Sequence, residues 1–287
     1  MFERTIDRVT SIPPLGPGFD GERHKAALVV APGNLAATDP FFLMADDHVS
    51  PGGAFGEAHP HAGLETVTFM LNGTMEDTGG RLEEGDVEWM TAGSGIVHAE
   101  DTVVSGGMRL FQLWLILPEA QRNMPPRVQV LRRADMPVHT GPGLVATVYS
   151  GKSGDAAAPT LNAVPVTLVD VRLAPGAVFA APVPASYNAF VVVVEGDTEA
   201  GATTEKLATG AVGWTGPMGD GDSALRLRAG DDGARLLLYA GLPQNIAVVA
   251  KGPFIAGSTE ELAGYYAAYR HGKFPHAGTM RPVVPHA

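Results

Sequence analysis

The chain has 287 residues, enough for one large or two ordinary domains, and its 45% hydrophobic and 18% charged residues exclude a disordered protein. It has no cysteine, which excludes disulfide frameworks and thiolate metal sites. A formal net charge of −11 argues against direct contact with nucleic-acid phosphate; the densest basic group, Arg127 with Arg132 and Arg133, reads as a solvated turn.

In chain order, the leader MFERTIDR lacks a basic-then-apolar signal pattern, and no apolar run approaches the ~20 residues of a membrane span. The expectation is a cytoplasmic protein without membrane contact. With 36 glycines and 23 prolines, turns are frequent and short strands are favoured over long helices. Residues 1–40 read as irregular apart from a first strand at Lys25–Ala31. Asp39–Ala45 holds a second strand, and Asp46–Gly53 reads as the turn out of it. Thr66–Leu71 alternates and ends at Asn72-Gly73, a hairpin signal. Val87–Met90, Gly95–Glu100 and Met108–Pro118 continue the strand pattern, and Glu119–Arg122 reads as one helical turn. Val128–Leu131, Leu144–Tyr149, Val166–Leu173 and Phe190–Glu195 are further strands. One helix stands out near 258–271. Ser258 can cap it, Glu261 follows three residues on, and Leu262, Tyr265, Tyr266 and Tyr269 recur at helical spacing.

Two short motifs carry the chemistry. His59-Pro60-His61 and His98-Ala99-Glu100 each place two potential ligands two residues apart, about 6.5–7 Å along one strand face. Neighbouring strands would bring them together as three imidazoles and one carboxylate, a donor set that suits iron, manganese, copper, nickel or zinc.

A self-comparison supports one site in two similar units. Gly85–Trp89 lines up with Gly210–Trp214, and Trp114–Pro118 with Tyr239–Pro243, at an offset of 125; Phe69–Gly73 meets Val192–Gly196 at 123. Across that alignment His59 and His61 fall on Pro182 and Pro184, and His98 and Glu100 on Ser223 and Leu225. No histidine lies between His139 and His271. The second copy keeps the scaffold and lacks the ligands, which is not expected of residues needed only for folding.

The stretches HPHAGLETVTF (His59–Phe69), WMTAGSGIVHAE (Trp89–Glu100) and FQLW (Phe111–Trp114) resemble the pirins, as do the GPF, EEL and YRHGKF pieces between Gly252 and Phe274. The resemblance implies an all-β bicupin: two antiparallel jelly-roll domains, 1–135 with a metal site and 136–287 without one, and a short C-terminal helix packed back on the first domain. It implies His59, His61, His98 and Glu100 as ligands of one metal, usually iron as Fe(II) or Fe(III), with Mn, Ni, Cu or Zn also admitted by the donors. Glu65 lies where many cupins have their carboxylate; the count back from Gly73 and the pirin pattern favour Glu100, leaving Glu65 a supporting or structural role. Ala62 and Ser94 stand where pirins often carry a basic residue.

For activity, the resemblance implies oxygen-dependent cleavage of flavonols such as quercetin, with loss of carbon monoxide and Glu100 as the catalytic base. Phe69, Val87, Trp89 and Leu113 are candidate apolar walls, although packing is the plainer reading for most of them. Glu76, Asp77, Glu83, Glu84 and Asp86 would make the mouth acidic. The alternative implied by the resemblance is a regulator that responds to metal redox state and acts through a protein partner.

Overall fold

The computed structural model describes residues 2–53, 56–77, 80–100 and 106–283; the side chains of Asp77 and Glu100 are outside that description. Two large antiparallel sheets dominate. The first runs in the order Arg127–Leu131, Val87–Thr91, Leu64–Asn72, Met108–Ile116, Phe41–Val49, Gly21–Val30, Gly16–Gly18. The second runs Val138–Gly141, Leu144–Ser150, Val166–Leu173, Asp222–Gly241, Asn188–Ala200, Ala211–Thr215, Arg8–Ser11. Each sheet curls into a jelly-roll barrel, so the chain is a bicupin. Among the described residues, no helix is long and apolar enough to cross a membrane.

The internal repeat is visible as shared hydrogen bonding. Trp89 pairs with Val67 in the first sheet, and Trp214 pairs with Phe190 in the second, each partner displaced by the offset of its own strand. Gly73 follows the strand Leu64–Asn72, and Gly196 sits at a register shift inside Asn188–Ala200, with φ of 80° and 73°. A Cβ would approach the Gly107 carbonyl oxygen to 2.3 Å in one case and that of Gly233 to 2.1 Å in the other, so both positions require glycine.

Alternation along Leu64–Asn72 sorts side chains between two interiors. Val67, Phe69 and Leu71 enter a core shared by the two sheets, with Trp89, Phe111, Phe190, Trp214 and Tyr239. Leu64 and Met70 enter clusters on the opposite face, inside the first barrel. That face is closed by the ribbon of Gly56–His61 with Ile96–Glu100, by the Thr74–Asp77/Gly80–Glu83 hairpin, and by chain beyond residue 245.

Three sequence expectations need correction. Residues 1–40 are not mostly irregular. Phe2–Glu3 and Arg8–Ser11 pair with the second sheet, and Gly16–Gly18 with Gly21–Val30. Asp46–Val49 continues the Phe41–Val49 strand instead of turning out of it. Its carboxylates have partners from other strands: Arg109 forks onto Asp46 at 2.8 and 2.9 Å, and His24 meets Asp47 at 2.7 Å. Several strands are not expected from the sequence pattern, the largest of them Val178–Pro184 and the long Asp222–Gly241. The helix spans Thr259–Arg270, and the Ser258 hydroxyl accepts from the Glu261 amide. Tyr265 and Tyr266 pack against Phe254, and the more exposed Tyr269 lies 6.5 Å from the same ring.

Candidate metal centre

The ribbon in the first barrel pairs His98 directly with His59, and Ile96 with His61. This register brings one nitrogen from each of His59, His61 and His98 within 4.8 Å of one another. His61 and His98 are buried at 1% and 2% exposure, while His59 is half-buried. The Gly56–His61 strand ends in a turn at Ala62-Gly63, where Gly63 has φ 75°. The turn breaks the alternation between His61 and Glu65, so the two belong to different strands.

Hydrogen bonds fix the direction in which two rings offer their lone pairs. A carbonyl only accepts, so His59 Nδ1–H donates to the Glu57 carbonyl at 2.8 Å, and His61 Nδ1–H donates to that of Pro253 at 3.3 Å. Nε2 is then the atom of each ring left to offer a lone pair. His98 Nε2 lies 3.1 Å from His59 Nε2, and His98 Nδ1 is buried with no hydrogen-bond partner among the described residues. If His98 is protonated on Nδ1, two lone pairs face one another; if on Nε2, its Nδ1 lone pair is orphaned. A shared cation at Nε2 removes the first conflict. Two nitrogens about 2.0–2.1 Å from one ion at a near-right angle would stand about 3 Å apart, which is the spacing observed.

The protonation states fit the same use. Burial, then the neighbouring His59, lowers the His61 pKa to about 3. Burial, then His61 and His59, holds His98 well below the usual histidine range. Neutral imidazole is the form that binds metal.

Below the triad lies a polar belt. Thr68 is flanked by Glu88 on one side and Gln112 on the other, and Thr66 by Met90 and Trp114. Thr68 Oγ1 donates to Gln112 Oε1 at 2.5 Å, and Thr66, Thr68, Glu88 and Gln112 are all buried. The Trp114 ring lies edge-on to His61 at 5.0 Å and stacks with Phe42 at 6.5 Å. Both indole and phenyl are half-buried.

The chain matches the pirin family model over residues 24–115 and the model of the pirin C-terminal cupin domain over 168–275. It is 33% identical over 244 residues to a pirin-like protein of Solanum lycopersicum, covering 83% of each chain. The chain belongs to the pirin family. Another relative of this pirin, from Pseudomonas aeruginosa, is named as a candidate quercetin 2,3-dioxygenase and is 34% identical over 276 residues, 89% of this chain and 94% of that one. Among solved structures, a quercetin 2,3-dioxygenase of Acinetobacter baumannii superposes with a TM-score of 0.81 at 26% identity, covering 96% of this chain and 99% of that one.

The structure thus gathers three of the four residues named from the motifs. Glu100 ends the second strand of the ribbon, where its backbone pairs with Gly56; its side chain lies outside the described residues. Glu65 faces the core between the sheets and is fully buried. Its carboxylate accepts from Thr91 Oγ1 at 2.7 Å and from the Ala163 and Val164 amides at 3.1 and 3.2 Å. Burial raises its pKa against those bonds.

The expected walls are corrected. Phe69, Val87, Trp89 and Leu113 belong to the core between the sheets, and the aromatic neighbours of the triad are Trp114 and Phe42. The acidic mouth is corrected for two residues. Asp86 accepts from Arg132 Nη1 at 2.7 Å and the Arg133 amide at 2.9 Å, and Glu84 lies 3.9–4.0 Å from Arg172 and Arg235. Asp77 lies outside the described side chains. Sequence reading missed Pro253 as the partner of His61; its only signal was the GPF piece.

Proposed function

We propose that this pirin is a metal-dependent dioxygenase of flavonol-type substrates, with His59, His61, His98 and Glu100 as ligands of one ion, iron by preference. The observation that carries the reading is the three-histidine cluster, each ring offering a nitrogen within 4.8 Å of the others and two of the rings, His61 and His98, buried and held neutral. The names of the Pseudomonas and Acinetobacter relatives support the flavonol class. On this reading the chain is two domains, 1–135 with the site and 136–287 without ligands, with the strands Phe2–Glu3 and Arg8–Ser11 crossing over to the second sheet.

The bound metal would supply Lewis-acid charge at an open position, lowering the pKa of a coordinated hydroxyl and admitting dioxygen chemistry. The protein's own part is to present three rigid lone pairs, to exclude water with Trp114 and Phe42, and to offer these half-buried rings to a planar aromatic substrate. Glu100, carried over by motif, acts as fourth ligand and as the base that takes the flavonol proton.

Quercetin consumption under air by iron-loaded protein tests the reading. The expected outcome is turnover in wild type and none in His59→Ala. Metal uptake without turnover, combined with redox-dependent capture of a single protein, would replace the enzyme by the regulator. The carboxylate assignment is tested by anaerobic Fe(II) titration. Glu100→Ala should lose affinity and turnover together. Glu65→Ala should keep metal and lose about 2–3 kcal/mol of stability from unpaired buried donors. Abolished binding in Glu65→Ala with normal binding in Glu100→Ala would reverse the assignment.

A further inference from the structure

Chain from beyond residue 250 covers both edges of the ribbon that bears the triad. On one edge Phe254 bridges Ala62, and the Ile255 amide donates to the Ala62 carbonyl at 3.0 Å. On the other edge His276 bridges Val97, and the Val97 amide donates to the Pro275 carbonyl at 2.9 Å. The fit depends on two glycines of the ligand motifs. A Cβ on Gly63 would stand 1.8 Å from the Ile255 carbonyl oxygen, and one on Gly95 would stand 2.1 Å from the Phe274 ring. His61 is held across 192 residues of sequence, by the Pro253 carbonyl.

One side chain fastens this segment. Glu261, in the first turn of the helix, accepts through Oε2 from Arg122 Nη1 at 2.8 Å and from the Gly257 amide at 2.7 Å. Its Oε1 accepts from the Tyr265 hydroxyl at 3.1 Å and from Asn123 Nδ2 at 3.3 Å. Arg122 is 3% exposed and follows the strand that carries Trp114 by one turn. The ion pair therefore joins the first barrel to the segment whose carbonyl orients His61.

We propose that Arg122 and Glu261 are positioning residues for the triad: by clamping residues 252–276 they set the Pro253 carbonyl against His61 Nδ1 and so fix the tautomer and aim of that ring. The proposal rests on reading the triad as a metal site. A released carbonyl frees His61 to rotate or to move its proton to Nε2, and in either case its lone pair leaves the point shared with His59 and His98. Support of this kind for a ligating histidine is worth about 10–100-fold in metal affinity.

The test uses full-length metal-free protein titrated anaerobically with Co(II), reading affinity by chelator competition and ligand geometry from the visible d–d bands. Glu261→Ala is expected to bind about 10–100-fold more weakly with altered bands. Glu261→Gln keeps the acceptor shape without the charge and should fall between it and wild type; it carries the test if Glu261→Ala does not fold. Arg235→Met, which removes a buried ion pair with Asp170 in the second sheet, should lower thermal stability and leave the bands unchanged. Wild-type affinity and bands in both Glu261 variants, or the same band change in Arg235→Met, would overturn the proposal. Absence of Co(II) uptake by wild type would overturn the metal reading, and the proposal with it.

Discussion

The two barrels share a backbone and differ in what fills them. Around the triad, the belt of Thr68 flanked by Glu88 and Gln112 has its counterpart in Val191 flanked by Gly213 and Leu238. By strand pairing, Thr66 beside Trp114 becomes Ala189 beside Ala240, one residue beyond the Tyr239 that the sequence offset aligns with Trp114. The second interior is a continuous aliphatic cluster that includes Val191, Ala189, Leu238 and Ala240. Pro184 and Ser223, which the sequence offsets align with His61 and His98, are both hydrogen-bonded to Arg4, although the register differs by one residue: His98 pairs with His59, whereas Ser223 pairs with Val183 and not with Pro182. The Arg4 guanidinium donates to Ser223 Oγ at 2.7 Å, to the Pro184 carbonyl at 2.7 Å, and to the Gly216, Ala185 and Tyr187 carbonyls at 3.0–3.2 Å. The difference teaches that one scaffold can hold a cation at this end of the barrel in two ways. On the proposed reading the first offers lone pairs to a cation from solution, and the second encloses a cation carried by the chain.

The largest expected effect breaks the comparison at the first barrel. Wild type should bind one transition metal ion per chain, because among the described residues the second copy has no such triad, and His98→Ala should bind none at micromolar metal. Elemental analysis after gel filtration measures both. Two ions per wild-type chain would show that the second barrel has its own site.

Next comes the enclosed cation. Arg4 is fully buried, and burial lowers its pKa to about 10 against the pull of Asp7. Arg4→Met would leave several carbonyls and the Ser223 hydroxyl without a donor, at a cost of about 3–5 kcal/mol measured by urea unfolding. Metal stoichiometry should stay at one. Lost metal binding in a folded Arg4→Met protein would mean that the barrels are coupled more tightly than their separate interiors suggest.

What the sequence made legible follows from range. The H-x-H spacing reports strand alternation, a local property, and the Asn72-Gly73 turn and Ser258 cap are local as well, whereas the ribbon register shifts between His98 and Glu100, so alternation alone does not carry the H-x-E pair. The strand carrying Asp46 and Asp47 was misread because its carboxylates are balanced by Arg109 and His24, which are far away in sequence. Phe69, Trp89 and Leu113 were candidates for the wrong cavity because both faces of their strands are buried. Alternation separates two faces without saying which one the ligands look upon. The Pro253 carbonyl could not be seen, since a backbone acceptor leaves no side-chain signature.

The smallest effect concerns protons and sharpens the claim that the first barrel keeps the buried imidazoles of His61 and His98 neutral. His61 has its pKa lowered to about 3 by burial and then by His59, while an unfolded histidine titrates near 6.5. As pH falls below about 6.5 the unfolded chain takes up a proton that the folded chain refuses, so this residue makes metal-free protein less stable from about pH 6.5 down toward 3. Glu65 acts in the opposite sense. Its raised pKa lets the folded chain accept a proton first as pH falls, so a single stability curve mixes the two. The difference between wild type and His61→Asn cancels Glu65 and isolates the histidine. That difference should change by about 0.7 kcal/mol between pH 7 and 6, and by up to about 1.4 kcal/mol per further unit of acid, with wild type losing stability faster. Parallel urea-unfolding curves for the two metal-free proteins from pH 7 to 5 would mean that His61 is protonated in the fold. The triad would then be a cationic cluster, not a set of three lone pairs prepared for a metal.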